Sequence, residues 1–317
     1  MGEPNADSRP ASSAGPPAPW LPAVSGHLAR CVLGLIFLAS GVLKAVDPAE
    51  FARQMAGYGI LGAGPSALAA PLLIAFETTL GVALLAGLRP RGAALVAAVL
   101  LVGFIGVETY GLSTGRTESC GCFGGYVERT PAQVIGEDLV FLALAALVLW
   151  GLRGRAARPE RGAVVVVACG AALALAFTFA SPRLPIDRYV TRLGEGRTLA
   201  DLGLAGKVPG LDQGRHLVAL LDLADPGAVD VAARLKEIAD LPGTPAIVAF
   251  TASTDEERGA FLWAAVPAFD IHGLDRAVIK RLYRRLPRFF LLEEGRVVSV
   301  YDGTPPAPSD LISSGAS

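Results

Sequence analysis

The stretch LPAVSGHLARCVLGLIFLASGVLKAV, from Leu21 to Val46, decides the fold class of this chain. Its only charged side chains are those of Arg30 and Lys44, and nearly all the others are apolar. A helix needs about 20 predominantly apolar residues to cross the hydrocarbon core of a bilayer. The stretch therefore predicts a helix that spans a membrane.

More apolar runs follow along the first two thirds of the chain, at about residues 66–88, 92–112, 132–152 and 162–180. In the more polar segment 47–64, Phe51, Met55 and Tyr58 recur at helical spacing, which predicts an amphipathic helix at the membrane surface. The 317 residues are 52% hydrophobic and 18% charged, whereas soluble domains are about 25% charged. The net charge of −1 gives no indication of nucleic-acid binding.

The predicted fold class is mostly α, a polytopic membrane helix bundle followed by a soluble α/β domain. Residues 1–20 are rich in Pro, Ser, Ala and Gly, which predicts a disordered tail. The remaining predicted segments are a four-span membrane domain at 21–152, a cytoplasmic basic connector with the fifth span at 153–185, an α/β domain at 186–303 and a disordered tail at 304–317.

Arginines in the short loops predict the orientation of the spans. Arg89 and Arg91 lie between the second and third spans, and four arginines lie in the connector at 153–161, two crossings later. Both loops are then cytoplasmic, as is the amino terminus, while residues 118–125 and the α/β domain are extracytoplasmic. Basic residues that follow the fifth span argue weakly for the opposite orientation, namely Arg183, Arg188 and Arg192.

The segment at 118–125, here called the cysteine loop, reads E-S-C-G-C-F-G-G. Cys120 and Cys122 form the only obvious pair among the four cysteines of the chain. A bend at Gly121 brings them within bonding range in a strained ring, and strained, accessible disulfides are easily reduced. Three interpretations remain open: a redox pair, a static bond or idle thiols, and half of a metal site. A structural zinc needs four ligands, and the three histidines lie far away in sequence.

Carboxylates inside or near the spans are the other candidate site residues. Glu77 lies about halfway along the second span and Glu108 near the outer end of the third. A carboxylate at membrane depth usually faces the bundle, where it pairs or carries function. Glu108, together with Glu137 and Asp138, is expected near the cysteine loop. Lys44 is expected to extend its ammonium group towards the interface.

Three stretches of the membrane half form a recognisable pattern: R-C-V-L-G-L-I-F-L-A-S-G-V-L-K at 30–44, E-T-T-L-G at 77–81 and above all C-G-C-F-G at 120–124. In these stretches the membrane half resembles the MauE family of methylamine-utilisation proteins, within the broader DoxX-like group. The resemblance implies a four-helix bundle with a role in making or maintaining disulfides. It also implies that Cys120 and Cys122 are the redox pair.

Strand-like and helix-like stretches alternate in the α/β domain, and a predicted helix over 274–285 is followed by Leu286-Pro287. This order resembles the thioredoxin fold, in which a cis proline stands at the position of Pro287. Where thioredoxins have Cys-x-x-Cys, this chain has Asp225-Pro226-Gly227-Ala228, and no cysteine follows Cys169. The domain therefore cannot exchange dithiols itself. Asp225 is expected to cap the following helix.

The first functional hypothesis is a membrane thiol–disulfide oxidoreductase acting on an extracytoplasmic client protein, with Glu77 and Glu108 as supporting residues. The sequence indicates no metal and no bound cofactor, although a membrane quinone is a candidate electron acceptor. The alternatives are a non-catalytic scaffold with a structural disulfide, a DoxX-like subunit of a quinol-oxidising complex, and transport through Glu77.

Overall fold

The computed structural model describes residues 21–115, 129–154 and 161–313. Within these ranges, five helices are long and apolar enough to cross a membrane. A mixed β-sheet with helices follows them. The predicted fold class, a mostly helical membrane bundle followed by an α/β domain, is confirmed.

The long apolar helices begin and end close to the predicted positions. They are α1 (Leu21–Val46), α3 (Ala63–Ala86), α4 (Pro90–Thr114), α5 (Pro131–Gly151) and α6 (Arg161–Ala180). The amphipathic segment forms α2 (Pro48–Gly57), which begins where the Asp47 side chain accepts a hydrogen bond from the Glu50 amide. Pro48 suits this first position because its missing N–H has no partner in a helix anyway.

Glycines let α1 and α3 approach each other closely. A Cβ atom added at Gly81 would lie 2.5 Å from the backbone nitrogen of Leu38, and one added at Gly41 would lie 2.3 Å from the Thr78 hydroxyl. Small residues at such seams allow the dense packing that holds membrane helices together. The close approach also fixes the relative heights of α1 and α3, and hence which of their polar side chains meet.

We expect Gly81→Ala to destabilise the membrane half by about 1–3 kcal/mol, since overpacking a close contact forces the backbone apart. Thermal unfolding in detergent micelles measures the effect. Gly103→Ala on α4 is the matched control, because a Cβ atom there meets nothing within 4 Å. That control should be neutral or stabilising by up to about 1 kcal/mol. Equal loss of stability in both variants would contradict the close α1–α3 packing.

The α/β domain is built on one sheet, which has five strands in the described residues, ordered β3-β2-β1-β4-β5. The parallel strands are β1 (Arg215–Leu220), β2 (Ala246–Thr251) and β3 (Asp270–Gly273). An antiparallel hairpin of β4 (Arg288–Glu293) and β5 (Arg296–Asp302) completes the other side. The short helices that precede β1 are α7 (Asp187–Val190) and α8 (Leu199–Leu202).

Both faces of the sheet are covered, which explains why β1 and β4 are apolar without alternation. Val218 and Phe290 belong to the core on one face, whereas Leu217 and Phe289 belong to the core on the other. The remaining helices of the domain are α9 (Ala228–Ala239), α10 (Asp255–Ala265), α11 (Arg276–Ile279) and α12 (Pro308–Ser313).

Three local features differ from the sequence-based predictions. The helix expected over 274–285 is only the short α11, because the chain turns after it and buries Arg284. Helix α12 lies within the segment predicted to be a disordered tail, and its Leu311 is fully buried in the core. The edge strand β3 was not predicted. The Leu286–Pro287 peptide bond is cis, as the resemblance implied.

A buried ion pair anchors the segment through which the chain enters the α/β domain. Arg284, at 1% exposure, contacts the Asp187 carboxylate at 2.9 Å and also donates to the Leu184 carbonyl. Burial raises the pKa of Asp187, but the hydrogen bonds from Arg284 and the nearby arginine charges outweigh it. The pKa of this carboxyl therefore lies below its ordinary value.

Candidate functional site

Cys120 and Cys122 lie outside the described residues, so the site is built here from the helices on either side of the cysteine loop. Helix α4 ends at Thr114 and α5 begins at Pro131. The loop therefore leaves the bundle at the end formed by the last turns of α4 and the first turns of α5.

A buried ion pair lies in the interior of the bundle, between α1 and α3. The Lys44 ammonium group is 2.6 Å from Oε1 and 2.7 Å from Oε2 of Glu77, and the Ser40 hydroxyl donates to Oε2 at 3.0 Å. Glu77 is fully buried, and the Lys44 side chain is 3% exposed. Glu77 thus faces the bundle and pairs, as a carboxylate at this depth is expected to do.

The prediction that Lys44 reaches towards the interface is wrong. Its ammonium nitrogen lies 5.0 Å from the ring centroid of Phe51 and 5.1 Å from that of Phe104. Aromatic faces stabilise a cation most where water is excluded. The buried carboxylate and the two rings together hold the ammonium group inside the protein.

Two further carboxylates lie on the helices that flank the cysteine loop. Glu108 on α4 accepts a hydrogen bond from the Tyr58 hydroxyl at 2.8 Å, and Asp138 on α5 is fully buried. Glu137, which was also predicted to lie near the cysteine loop, forms an ion pair with Arg129. The helices flanking the loop thus contribute one buried carboxylate each.

These groups border a cavity of ≈ 130 Å³, here called the carboxylate cavity. Its polar lining residues include Lys44, Tyr58, Glu108 and Asp138, and Phe51 and Phe104 are among its apolar walls. The contributing parts are the end of α1, α2 and the connection that follows it, the first half of α3, the second half of α4 and the first half of α5. The cavity therefore occupies the end of the bundle from which the cysteine loop leaves.

Chemically, this cavity combines apolar walls with groups that hold charge or move protons. An ammonium group, a phenol and two carboxylates can donate or accept hydrogen bonds to one polar end of a ligand. The aromatic and aliphatic walls suit a flat or aliphatic remainder. The arrangement matches a small amphipathic ligand better than a fully polar one.

The other cysteines lie away from this cavity. Cys31 is half-buried and Cys169 is exposed, and both carry free thiols. Across residues 21–115, 129–154 and 161–313, no cluster of three or more His, Cys, Asp or Glu side chains has a geometry that could hold a metal ion.

A second cavity, of ≈ 230 Å³, lies in the α/β domain where the resemblance implied a Cys-x-x-Cys site. It is lined by Asp222, Asp225 and Val231 on one side and by Leu286 and Pro287 on the other. Asp225 does not cap α9 directly, because Gly227 occupies the N-cap position and donates its amide to the Asp225 carboxylate. The position holds a carboxylate-stabilised turn instead of thiols.

Residues 20–151 match the family model of methylamine utilisation protein MauE. This similarity covers less than half of the chain, and the matched residues are here called the MauE domain. The match covers four of the long apolar helices together with α2, and it includes the cysteine loop and every residue of the carboxylate cavity. The fifth long helix and the α/β domain lie beyond the MauE domain. No curated protein and no solved structure matches the chain.

Sequence reasoning identified Glu77 and Glu108 in the MauE domain but missed the groups that hold them. Ser40 and Tyr58 carry no distinctive motif, so only the packing shows that they donate to these carboxylates. The Lys44–Glu77 pair did have a signal. The first span carries two basic residues, Arg30 and Lys44, and the second carries Glu77. Opposite charges tend to pair within a bundle, but only the packing selects Lys44 as the partner.

Proposed function

We propose that this MauE-domain protein is a membrane thiol–disulfide oxidoreductase in which Cys120 and Cys122 are the redox pair. In this proposal the cysteine loop and the α/β domain are extracytoplasmic and the amino terminus is cytoplasmic. The client is an extracytoplasmic protein with thiols to be oxidised, in a setting of methylamine utilisation.

The observation that carries the proposal is the carboxylate cavity, which lies at the end of the bundle carrying the cysteine loop. Disulfide formation releases two protons as well as two electrons. In this proposal Glu108 and Asp138, on the two helices that the loop connects, accept these protons. Glu77 supports the site indirectly, because its ion pair fixes Lys44 at the cavity wall.

The exchange step uses ordinary thiol chemistry. A client thiolate attacks one sulfur of the Cys120–Cys122 disulfide and forms a mixed disulfide, and the other sulfur leaves as a thiolate. A second client thiolate then attacks the client sulfur of the mixed disulfide. The client gains a disulfide, and Cys120 and Cys122 become two thiols.

Regenerating the disulfide requires an acceptor for two electrons and two protons, and a membrane quinone is the proposed acceptor. The dithiol becomes a disulfide while the quinone becomes a quinol, so electrons and protons balance. In this proposal the quinone ring lies against the apolar walls of the carboxylate cavity, and Lys44, Tyr58, Glu108 and Asp138 are the candidate hydrogen-bond partners of its oxygens. The ring would enter from the bilayer, where quinones dissolve.

The α/β domain is proposed to be a thioredoxin-like docking module for the client. Support comes from its strand order, with parallel β1 and β2 beside an antiparallel hairpin, and from the cavity beside Asp225 and Pro287. Because the domain contributes no thiols, its role is to bind a client while the cysteine loop performs the chemistry.

Replacing Cys120 and Cys122 by Ser should abolish client oxidation in cells while leaving membrane abundance unchanged. Acid-quench and maleimide trapping, with Cys31 and Cys169 replaced by Ala, should show the pair moving between thiol and disulfide when the quinone pool is shifted. Cys31→Ala with Cys169→Ala alone is the control, since both lie away from the cavity.

A scaffold with a structural disulfide is the second candidate, favoured by the absence of thiols in the α/β domain. It predicts lowered abundance of the Cys120→Ser and Cys122→Ser variants and a pair that stays oxidised whatever the state of the quinone pool. Either result would exclude the redox proposal.

A further inference from the structure

Basic residues are concentrated in two segments of the α/β domain. Residues 183–193, which follow the fifth span, contain three arginines and one acidic residue, Asp187. Residues 276–288, which follow β3, contain six basic residues and no acidic one. Arg284 forms an ion pair with Asp187, and Arg288 forms one with Asp302, the last residue of β5. The two segments together thus carry nine basic residues and one acidic residue.

Specific contacts hold the two segments side by side. The Arg192 amide donates to the Arg281 carbonyl at 2.7 Å, and the Arg288 guanidinium donates to the Thr191 hydroxyl at 2.9 Å. Together with the Arg284–Asp187 pair, these bonds join the segments along their length. Four arginines of the joined segments are exposed to solvent, and they are here called the arginine surface: Arg183, Arg188, Arg192 and Arg285.

This surface begins where the fifth span ends. The apolar helix and the turn after it cover Arg161–Arg183, so Arg183 is the last residue of the candidate span. The ion pair that anchors the entry segment starts within four residues of it. Tyr189, 73% exposed, stacks against Arg188 at 4.6 Å. Tyrosine is enriched at the level of lipid headgroups.

We propose that the arginine surface binds the anionic headgroups of phospholipids and holds the α/β domain against the bilayer. Arginine forms paired hydrogen bonds with phosphate, and juxtamembrane basic residues are attracted to anionic leaflets by about 1 kcal/mol each. The partner follows from charge complementarity and from direct continuity with a membrane span.

Binding to lipid also explains why arginines follow the fifth span on the predicted extracytoplasmic side, where the rule on basic residues in loops does not favour them. The loops at Arg89 and at 153–161 predict that the fifth span leaves on the extracytoplasmic side, where an excess of arginine is unusual. If these arginines bind headgroups, they must lie next to the span, and this holds for either leaflet of the bilayer. The inference is independent of the redox chemistry proposed for the cysteine loop.

The full-length protein in lipid nanodiscs provides the test. Amide hydrogen exchange of residues 184–192 and 280–286 is compared between discs of phosphatidylcholine alone and discs of an equal mixture with phosphatidylglycerol. We expect slower exchange in the anionic discs. Each arginine that is neutralised should lower the affinity for headgroups about fivefold, which corresponds to ~1 kcal/mol. The combined Arg188→Gln, Arg192→Gln and Arg285→Gln variant should lose the difference between discs. Salt at ~1 M should do the same, because it shortens the screening length to ~3 Å.

The matched control removes the same charge elsewhere on the domain, by Lys207→Gln, Arg234→Gln and Lys236→Gln at exposed positions. This control should keep the lipid-dependent protection. Identical exchange of the wild-type segments in both kinds of disc would overturn the proposal. Equal loss of protection in the control and the arginine variant would also overturn it, because it would reflect overall charge and not this surface.

Discussion

Glu77→Leu will destabilise the membrane half by about 3–5 kcal/mol, the range measured when one partner of a buried ion pair is removed. The variant leaves the Lys44 ammonium group enclosed by Phe51 and Phe104 without its carboxylate. Thermal unfolding in detergent, together with the folded fraction recovered after extraction, measures the loss.

Two further variants separate the ion pair from general effects of substitution. Glu77→Leu combined with Lys44→Met removes both charges and should regain most of the lost stability, since a well-packed apolar pair often matches a buried ion pair. Glu137→Leu removes a carboxylate whose side chain is 37% exposed, and should cost at most about 1 kcal/mol. If the double variant is no more stable than Glu77→Leu, the cost does not come from a stranded Lys44 charge.

Arg284→Leu will destabilise the α/β domain by about 3–5 kcal/mol for the same reason, because it strands a buried carboxylate. The Asp187 side chain is 10% exposed and lies 2.9 Å from the Arg284 guanidinium. Urea unfolding of the full-length protein, followed by amide exchange of the central strand β1, measures the loss because β1 opens only with the domain. The neighbouring Arg285→Leu is the control, since its side chain is exposed.

The pH dependence of this loss follows from the lowered pKa of Asp187. In the wild type, the stabilising effect of the Asp187 carboxylate is fully present above its unfolded pKa of about 3.8 and is lost only as pH falls through the lower folded value. In Arg284→Leu, burial is opposed only by the charges of Arg288 and Arg285, so the pKa of Asp187 is higher than in the wild type and the carboxylate takes up a proton at higher pH. The stability difference between the two proteins should therefore narrow as pH falls from 7 towards 4. If the stability difference between the two proteins does not change with pH, the loss in Arg284→Leu comes from packing and not from the charge of Asp187.

The comparison of sequence and structure is clearest in the polar pairs. Glu77 and Glu108 could be selected from the sequence because a carboxylate in a span is costly and therefore informative. Their partners could not, since Lys44 lies 33 residues from Glu77 and Tyr58 lies 50 residues from Glu108. Which side chains meet depends on the relative height at which α1 and α3 pack. Gly41 and Gly81 set that height through close contacts between the two helices, and these contacts are visible only in the folded structure.

The α/β domain shows the same division. Its buried strands were predictable from short apolar runs, and β3 was not, since its residues are only partly buried at the sheet edge. The predicted helix at 274–285 failed because Arg284, which favours helix locally, is instead drawn to a carboxylate 97 residues away.

The sequence by itself determined the membrane spans, the α/β character of the second domain and the cysteine pair as the candidate redox centre. These properties are local, because they depend on composition, run length and spacing within about 25 residues. Only the tertiary structure decided the Lys44–Glu77 pair, the carboxylate cavity and the arginine surface. Each of these is made by side chains that are distant in sequence. Where such polar groups are buried, they must bond to one another, because the water that would otherwise hydrogen-bond to them is excluded.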